Sequence, residues 1–113
     1  MTENPQNFVH LHVHTQYSLL DGAIRLGHLL ERANEFGMKS VAITDHGTMF
    51  GAVEFYDMAH KAKIKPIIGC EVYIAPRKLT DKTADDGKRL SHLVLLAQNQ
   101  EGYKNLCKAL NRG

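Results

Sequence analysis

Tryptophan is absent from the 113-residue chain, and cysteine and proline are scarce, with two and three residues. Cys70 and Cys107 lie in dissimilar segments without Cys-x-x-Cys spacing, which argues against a disulfide framework and indicates free thiols of a reducing compartment. No segment approaches the length of a membrane span, and the amino-terminal MTENPQNF lacks the apolar core of a secretion signal. We therefore expect a cytoplasmic protein that does not contact a membrane.

Strong charge of one sign is also missing, because the formal net charge is only +2. That value does not by itself indicate nucleic-acid binding. The apolar fraction of 43% and the charged fraction of 23% are typical of a globular protein, and the length suffices for one domain with a single core. Histidine, in contrast, is abundant, with seven residues.

The hydrophobic pattern predicts alternating strands and helices. Alternation of Val9, Leu11 and Val13 with histidines predicts a first strand, and apolar runs predict strands at Val41–Ile43, 65–75 and 92–97. Helical spacing predicts helices within 24–37, 51–63 and 102–110, the first ending at Gly37. The polar stretch 76–91 has no period and predicts a long loop. This order is typical of the α/β class with a mainly parallel sheet and crossover helices.

Side chains that bind metals recur where the predicted strands end. His12 and His14 are two residues apart, so both project from one face of a strand. His46 ends the next strand, and Asp21 and Glu71 add carboxylates. Ligands of parallel α/β folds bind at the carboxyl ends of the strands, and a mixed histidine and carboxylate set suits zinc, manganese or iron. A carboxylate such as Glu71 can also bridge two cations.

Simpler interpretations apply to the other candidates. We expect His10 to pack or to form hydrogen bonds, and we expect His28 and His60 to lie on helix surfaces. Serines 18 and 91 lack the context of a nucleophile elbow, and no glycine-rich phosphate loop is present. Cys70 is a weak candidate nucleophile, because the neighbouring Glu71 carboxylate would raise the pKa of its thiol.

Four motifs together carry a family resemblance, namely HVHTQYSLLDG, TDHGTMFGAVEFY, KPIIGCEVYIAP and HLVLLAQNQEGYKNL. From about Phe8 onward the chain resembles the N-terminal PHP (polymerase and histidinol phosphatase) domains of bacterial DNA polymerase III alpha subunits. The resemblance implies a distorted seven-stranded (β/α) barrel that holds up to three divalent metals at one end. Residues 1–113 would form the N-terminal portion of such a barrel, within a much larger polymerase chain.

The resemblance also implies a ligand set, which consists of His12, His14, Asp21, His46, Glu71 and His92. Catalytic roles fall on Glu71, His14 and His46. His92 enters by resemblance alone, because it begins an apolar run instead of ending one. Further family ligands, a cysteine or histidine and an Asp-x-His pair, would lie beyond Gly113.

By resemblance, the parent chain copies DNA with Mg²⁺ at a separate polymerase site, and the PHP domain removes nucleotides 3′ to 5′ with Zn²⁺ or Mn²⁺. Implied partners are DNA, a proofreading exonuclease and the sliding clamp. Two alternatives stay open. The domain is a scaffold that docks the proofreading exonuclease, or the chain is a free-standing phosphatase of the histidinol-phosphatase type.

A barrel that stops after about four strands would leave its interior face uncovered. The residues expected on that face are Val41, Ile43, Ile67 and Leu95. We therefore expect the fragment to pair with a second copy, to exchange strands or to rearrange its sheet, and to bind metal more weakly than the complete domain.

Overall fold

The structure, a computed structural model, describes residues 8–18, 22, 24–74 and 91–112. Its elements follow the predicted alternation after the first motif. They are α1 (Leu26–Glu35), β1 (Ser40–His46), α2 (Ala52–Lys61), β2 (Lys65–Ile74), β3 (Ser91–Leu96) and α3 (Gln100–Arg112). Within these described ranges, no helix has the length and apolar character needed to cross a bilayer.

The three strands form a mixed sheet in the order β1–β2–β3. β1 and β2 are parallel, with His46 opposite Glu71, and α2 supplies the crossover that this pairing requires. β2 and β3 are antiparallel, with Tyr73 opposite His92, so parallel pairing does not extend to the third strand. As a consequence, the beginning of β3 lies at the edge of the sheet where β1 and β2 end.

The core lies on one face of the sheet, beneath α1 and α2. It consists of Leu26, Leu30, Ala33, Val41, Ile43, Phe55, Ala59 and Ile64. On α1 the buried residues recur at intervals of four and three, which is the spacing of a helix with one buried side. Val41 and Ile43 are 1% and 2% exposed here, so the expectation that they face an uncovered barrel interior is wrong. The opposite face of the sheet carries Thr44, His46, Gly69 and Glu71.

The predicted first strand is extended but does not form a regular ladder. The Ala42 N–H donates to the His10 carbonyl (3.0 Å) and the Thr44 N–H donates to the Val13 carbonyl (2.7 Å). Between these two bonds the chain advances by three residues in the predicted first strand, called here the first segment, but by only two in β1. One extra residue on one strand is the defining feature of a β-bulge. The Thr44 hydroxyl accepts from the Val13 N–H (2.9 Å) in place of a backbone carbonyl. Alternation of side chains alone could not reveal this extra residue.

Both core helices end in the same local motif. After α1, the Gly37 N–H donates to Asn34 and the Met38 N–H donates to Ala33, with Gly37 at φ 70°. This pair of bonds is a Schellman motif, and it confirms the predicted stop at Gly37. After α2 the equivalent left-handed position is occupied by Lys63, at φ 59°.

Candidate metal centre

Glu71 lies at the centre of the candidate site. It occupies β2, its residue is 4% exposed, and it projects from the face of the sheet opposite the core. A buried carboxylate is costly unless polar groups surround it. Four histidine side chains provide that environment, two of them at each carboxylate oxygen.

His12 and His14, from the first segment, surround one oxygen of Glu71. Nε2 of His12 contacts Oε1, and Nε2 of His14 lies 3.5 Å from the same atom. The two rings stand edge to face, with centroids 5.0 Å apart. Their spacing of two residues thus places both imidazoles on one side of the segment, as the sequence predicts, and here both lie near the same oxygen.

His46 and His92, from β1 and β3, surround the other oxygen. Nδ1 of His46 lies 2.7 Å from Oε2, and Nδ1 of His92 lies 2.9 Å from it. His46 is opposite Glu71 in the parallel ladder. In the antiparallel ladder Val94 is opposite Glu71, and His92 lies two residues from Val94 on β3. All three side chains consequently share one face of the sheet.

The two histidine pairs adjoin one another. The ring centroids of His14 and His46 are 4.0 Å apart, well within the separation expected if both belong to one centre. These two side chains are about one-fifth exposed, whereas those of His12 and His92 are about half exposed. The centre therefore has a sheltered inner pair and an outer pair that solvent reaches.

The surroundings of Glu71 hold it in the ionised state. Burial of the carboxyl opposes ionisation, but hydrogen bonds with His92 and His12 and the charge of His46 outweigh it. Together they lower the pKa of Glu71 to about 2. The carboxylate is therefore available as an anionic ligand at neutral pH.

The donor atoms suit divalent cations. In each group, formed by His12, His14 and Glu71 or by His46, Glu71 and His92, the candidate ligand atoms lie within 4.8 Å of one another. Imidazole nitrogen with carboxylate oxygen is a donor set that zinc and related metals accept. Because Glu71 belongs to both groups, its two oxygens are placed to serve two ions at once.

The structure brings together five of the six predicted ligands, and Asp21 lies outside the described residues. His92 could not be found from the hydrophobic pattern, because only the antiparallel direction of β3 places its first residues beside the end of β2. His10 is exposed and packs edge-on against Phe8. His28 and His60 are exposed, which confirms their predicted place on helix surfaces.

The weaker catalytic candidates find no support in the structure. Cys70 is fully buried on the opposite face of β2 from Glu71, and burial raises the pKa of its thiol. Such a thiol is inert, since nucleophilic attack requires an accessible thiolate. The hydroxyl of Ser18 is buried, donates to Asp45 (2.8 Å) and accepts from the His46 N–H (3.0 Å), so it is withdrawn from any substrate.

Comparison with known proteins identifies the family of this chain. The PHP domain family matches residues 10–113. The chain belongs to this family. It is 53% identical over 102 residues to the DNA polymerase III subunit alpha of Borreliella burgdorferi, covering 89% of this chain and 9% of the relative. It is 53% identical over 106 residues to that of Helicobacter pylori strain 26695, covering 94% and 8%. This PHP chain thus spans less than a tenth of the length of either relative.

Solved structures share the fold of this PHP chain. An amidohydrolase from Chromobacterium violaceum superposes with a TM-score of 0.61 at 24% identity, covering 88% of this chain and 32% of the other. A candidate metal-dependent phosphoesterase from Bifidobacterium adolescentis gives 0.60 at 20% identity, covering 90% and 33%. This chain thus spans about a third of the length of each of these structures.

The glycine of the first motif packs against the turn that follows His14. A methyl group at Gly22 would overlap the carbonyl of Thr15, and the Gly22 N–H donates to the Ser18 carbonyl (2.9 Å). We expect Gly22→Ala to lower the free energy of unfolding by about 1–3 kcal/mol, as overpacking does. Urea denaturation followed by circular dichroism measures the change.

The matched control is Gly27→Ala, at an exposed position of α1 where a methyl group meets only the end of Met58 at 3.7 Å. Alanine favours helix over glycine by up to about 1 kcal/mol, so this variant should be unchanged or more stable. Equal losses in the two variants would contradict the close packing at Gly22.

Proposed function

We propose that this PHP domain is part of a bacterial DNA polymerase III alpha subunit, in which it removes nucleotides from DNA 3′ ends by metal-dependent phosphodiester hydrolysis. The relatives that carry that polymerase name support the first half of the proposal. The second half is supported by one observation. Each carboxylate oxygen of Glu71 faces its own pair of histidines.

The residues divide the work as follows. The ions would be Zn²⁺ or Mn²⁺. His12 and His14 would hold one of them, His46 and His92 would hold a second, and the Glu71 carboxylate would bridge the two. Asp21 and ligands beyond Gly113 would complete the coordination, with up to three ions in the complete domain. When bound, such ions supply an activated water and neutralise charge on the scissile phosphate. Glu71, His14 and His46 are the catalytic residues, since they form the sheltered inner part of the centre.

The wider role follows from the same proposal. The parent chain would carry out DNA-templated synthesis with Mg²⁺ at a site outside these residues. Its partners would be DNA, a separate proofreading exonuclease and the sliding clamp, and its location the cytoplasm. Self-association with a second copy is proposed only for the isolated 113 residues and not for the parent chain.

The test uses the complete parent chain, purified with and without Zn²⁺ or Mn²⁺, and single-stranded DNA labelled at its 5′ end. We expect metal-dependent shortening from the 3′ end without added nucleoside triphosphates. Loss of shortening on chelation, and its return when metal is added, would support the proposal. Metal-bound protein that leaves the DNA intact would overturn it.

The same preparation separates the alternatives. A scaffold has no need of metal, so the chelated protein would bind the proofreading exonuclease as tightly as the metal-bound protein. A small-molecule phosphatase would hydrolyse histidinol phosphate in preference to DNA. Either outcome, obtained together with intact DNA in the metal-bound protein, would contradict the proposed nuclease.

A further inference from the structure

A second buried carboxylate lies next to the metal centre but does not face it. Asp45 is 2% exposed and precedes His46 on β1, so its side chain points away from Glu71. It accepts hydrogen bonds from the Thr15 N–H (2.5 Å), the Thr15 hydroxyl (2.7 Å) and the Ser18 hydroxyl (2.8 Å). All three donors belong to the turn that follows His14.

The presence of a carboxylate at this position needs a reason. An ionised carboxylate in the interior costs several kcal/mol of desolvation, and an apolar residue of similar size is often at least as stabilising. Thr15 and Ser18 are themselves buried, at 0% and 1% exposure, so the whole cluster is withdrawn from solvent. Three charge-assisted hydrogen bonds offset the desolvation and also fix direction, which apolar packing does not.

The cluster joins the two segments that carry the inner histidines. Thr15 directly follows His14, and Asp45 directly precedes His46. The Ser18 hydroxyl completes the link, because it donates to Asp45 and accepts from the backbone N–H of His46 (3.0 Å). Three consecutive bonds, namely Thr15 N–H to Asp45, Ser18 hydroxyl to Asp45 and His46 N–H to Ser18 hydroxyl, thus connect the backbone next to His14 to the backbone of His46.

This link is needed because the first segment is not held by a regular ladder. Its backbone is joined to β1 by irregular bonds, with one extra residue between His10 and Val13. The bonds between Val13 and Thr44 end just before His14. Beyond them, the Asp45 cluster joins the turn after His14 to the end of β1.

We propose that Asp45, acting through Thr15 and Ser18, is a positioning residue that fixes His14 and His46 at the separation required for adjacent metal ions. The proposal rests on the metal-binding role proposed above. In this role Asp45 coordinates no metal and binds no substrate. It determines where two ligands stand relative to Glu71.

The test compares Thr15→Val and Ser18→Ala with Ser40→Ala, a control at the opposite end of β1, in the complete parent chain. Partners of metal ligands are worth about 10–100-fold in affinity. We expect Mn²⁺ affinity, measured by titration calorimetry, to fall by that factor in the first two variants and to stay within twofold in the control. Thr15→Ser keeps the hydroxyl and should restore the affinity. The Co²⁺ absorption spectrum should shift in the same two variants.

A readout without metal keeps the proposal separate from the proposed function. Histidine ring ¹⁵N resonances of the metal-free protein should move for His14 and His46 in Thr15→Val and Ser18→Ala, and should stay fixed for His28 and His60. If these resonances, the Mn²⁺ affinity and the Co²⁺ spectrum are unchanged while the melting temperature falls, Asp45 is structural only and the proposal is overturned. If the rings move but the wild-type protein binds no metal, the positioning role stands and the proposed function fails.

Discussion

Replacing Glu71 by glutamine should abolish binding at both halves of the metal centre in a single step. Glutamine keeps the size of the side chain but is neutral and offers one oxygen, so it cannot bridge two cations. We expect the affinity for Mn²⁺ or Zn²⁺ to fall by more than about 100-fold, since even partners of metal ligands are worth about 10–100-fold. Titration calorimetry on the complete parent chain measures the loss, and circular dichroism shows whether the fold is intact.

The matched control is Glu31→Gln. Glu31 is exposed on α1, so this substitution removes one negative charge at a position away from the metal centre. Its metal affinity should equal that of the wild-type protein. Loss of one ion with full retention of the other in Glu71→Gln would contradict the bridging role. The histidine pairs would then be independent sites.

The largest expected effect on stability is that of Phe55→Ala. Phe55 is 0% exposed on α2 and belongs to the core cluster with Val41 and Ile43. Removing a buried phenyl ring costs about 3–5 kcal/mol, which is a large part of the about 5–15 kcal/mol that stabilises a typical domain. Chemical denaturation should therefore show a transition midpoint at a clearly lower denaturant concentration than in the wild-type protein.

Val53→Ala tests whether that loss is specific to the core. Val53 lies on the same helix but is 67% exposed, so its truncation should change the free energy of unfolding by no more than about 0.5 kcal/mol. A comparable loss in both variants would show that the buried face of α2 is not where the structure places it.

The elements after the first motif could be predicted from the sequence because each has one buried side. α1 and α2 repeat their buried residues at helical spacing, and β1 is a short apolar run bounded by polar residues. The inward direction of Val41 and Ile43 could not be predicted correctly. Ala42, which lies between them, is also fully buried, so the apolar run Val41–Ile43 contains no polar residue that would distinguish its two faces.

Three parts of the candidate site depend on relations between distant residues, which no local pattern contains. The place of His92 depends on the antiparallel direction of β3, and sequence periodicity is the same for either direction. The bulge near Val13 depends on the Thr44 hydroxyl, which replaces a backbone acceptor. The Asp45 cluster joins residues 27 to 30 positions apart.

The histidines of the first motif were predictable for a different reason. Residues two apart on an extended segment share a face whether or not the segment is regularly paired. His12 and His14 therefore reach the same carboxylate oxygen despite the bulge. Local spacing was sufficient here because both ligands belong to one short segment.

The most direct test of the account is the position of the metals in the complete parent chain, crystallised with Mn²⁺ and located by anomalous scattering. We expect two ions about 3.5–4 Å apart, the separation typical of two-metal phosphoesterases, with one carboxylate oxygen of Glu71 on each. His12 and His14 should coordinate one ion, and His46 and His92 the other. A single ion, or a Glu71 that binds histidines without contacting metal, would contradict the account.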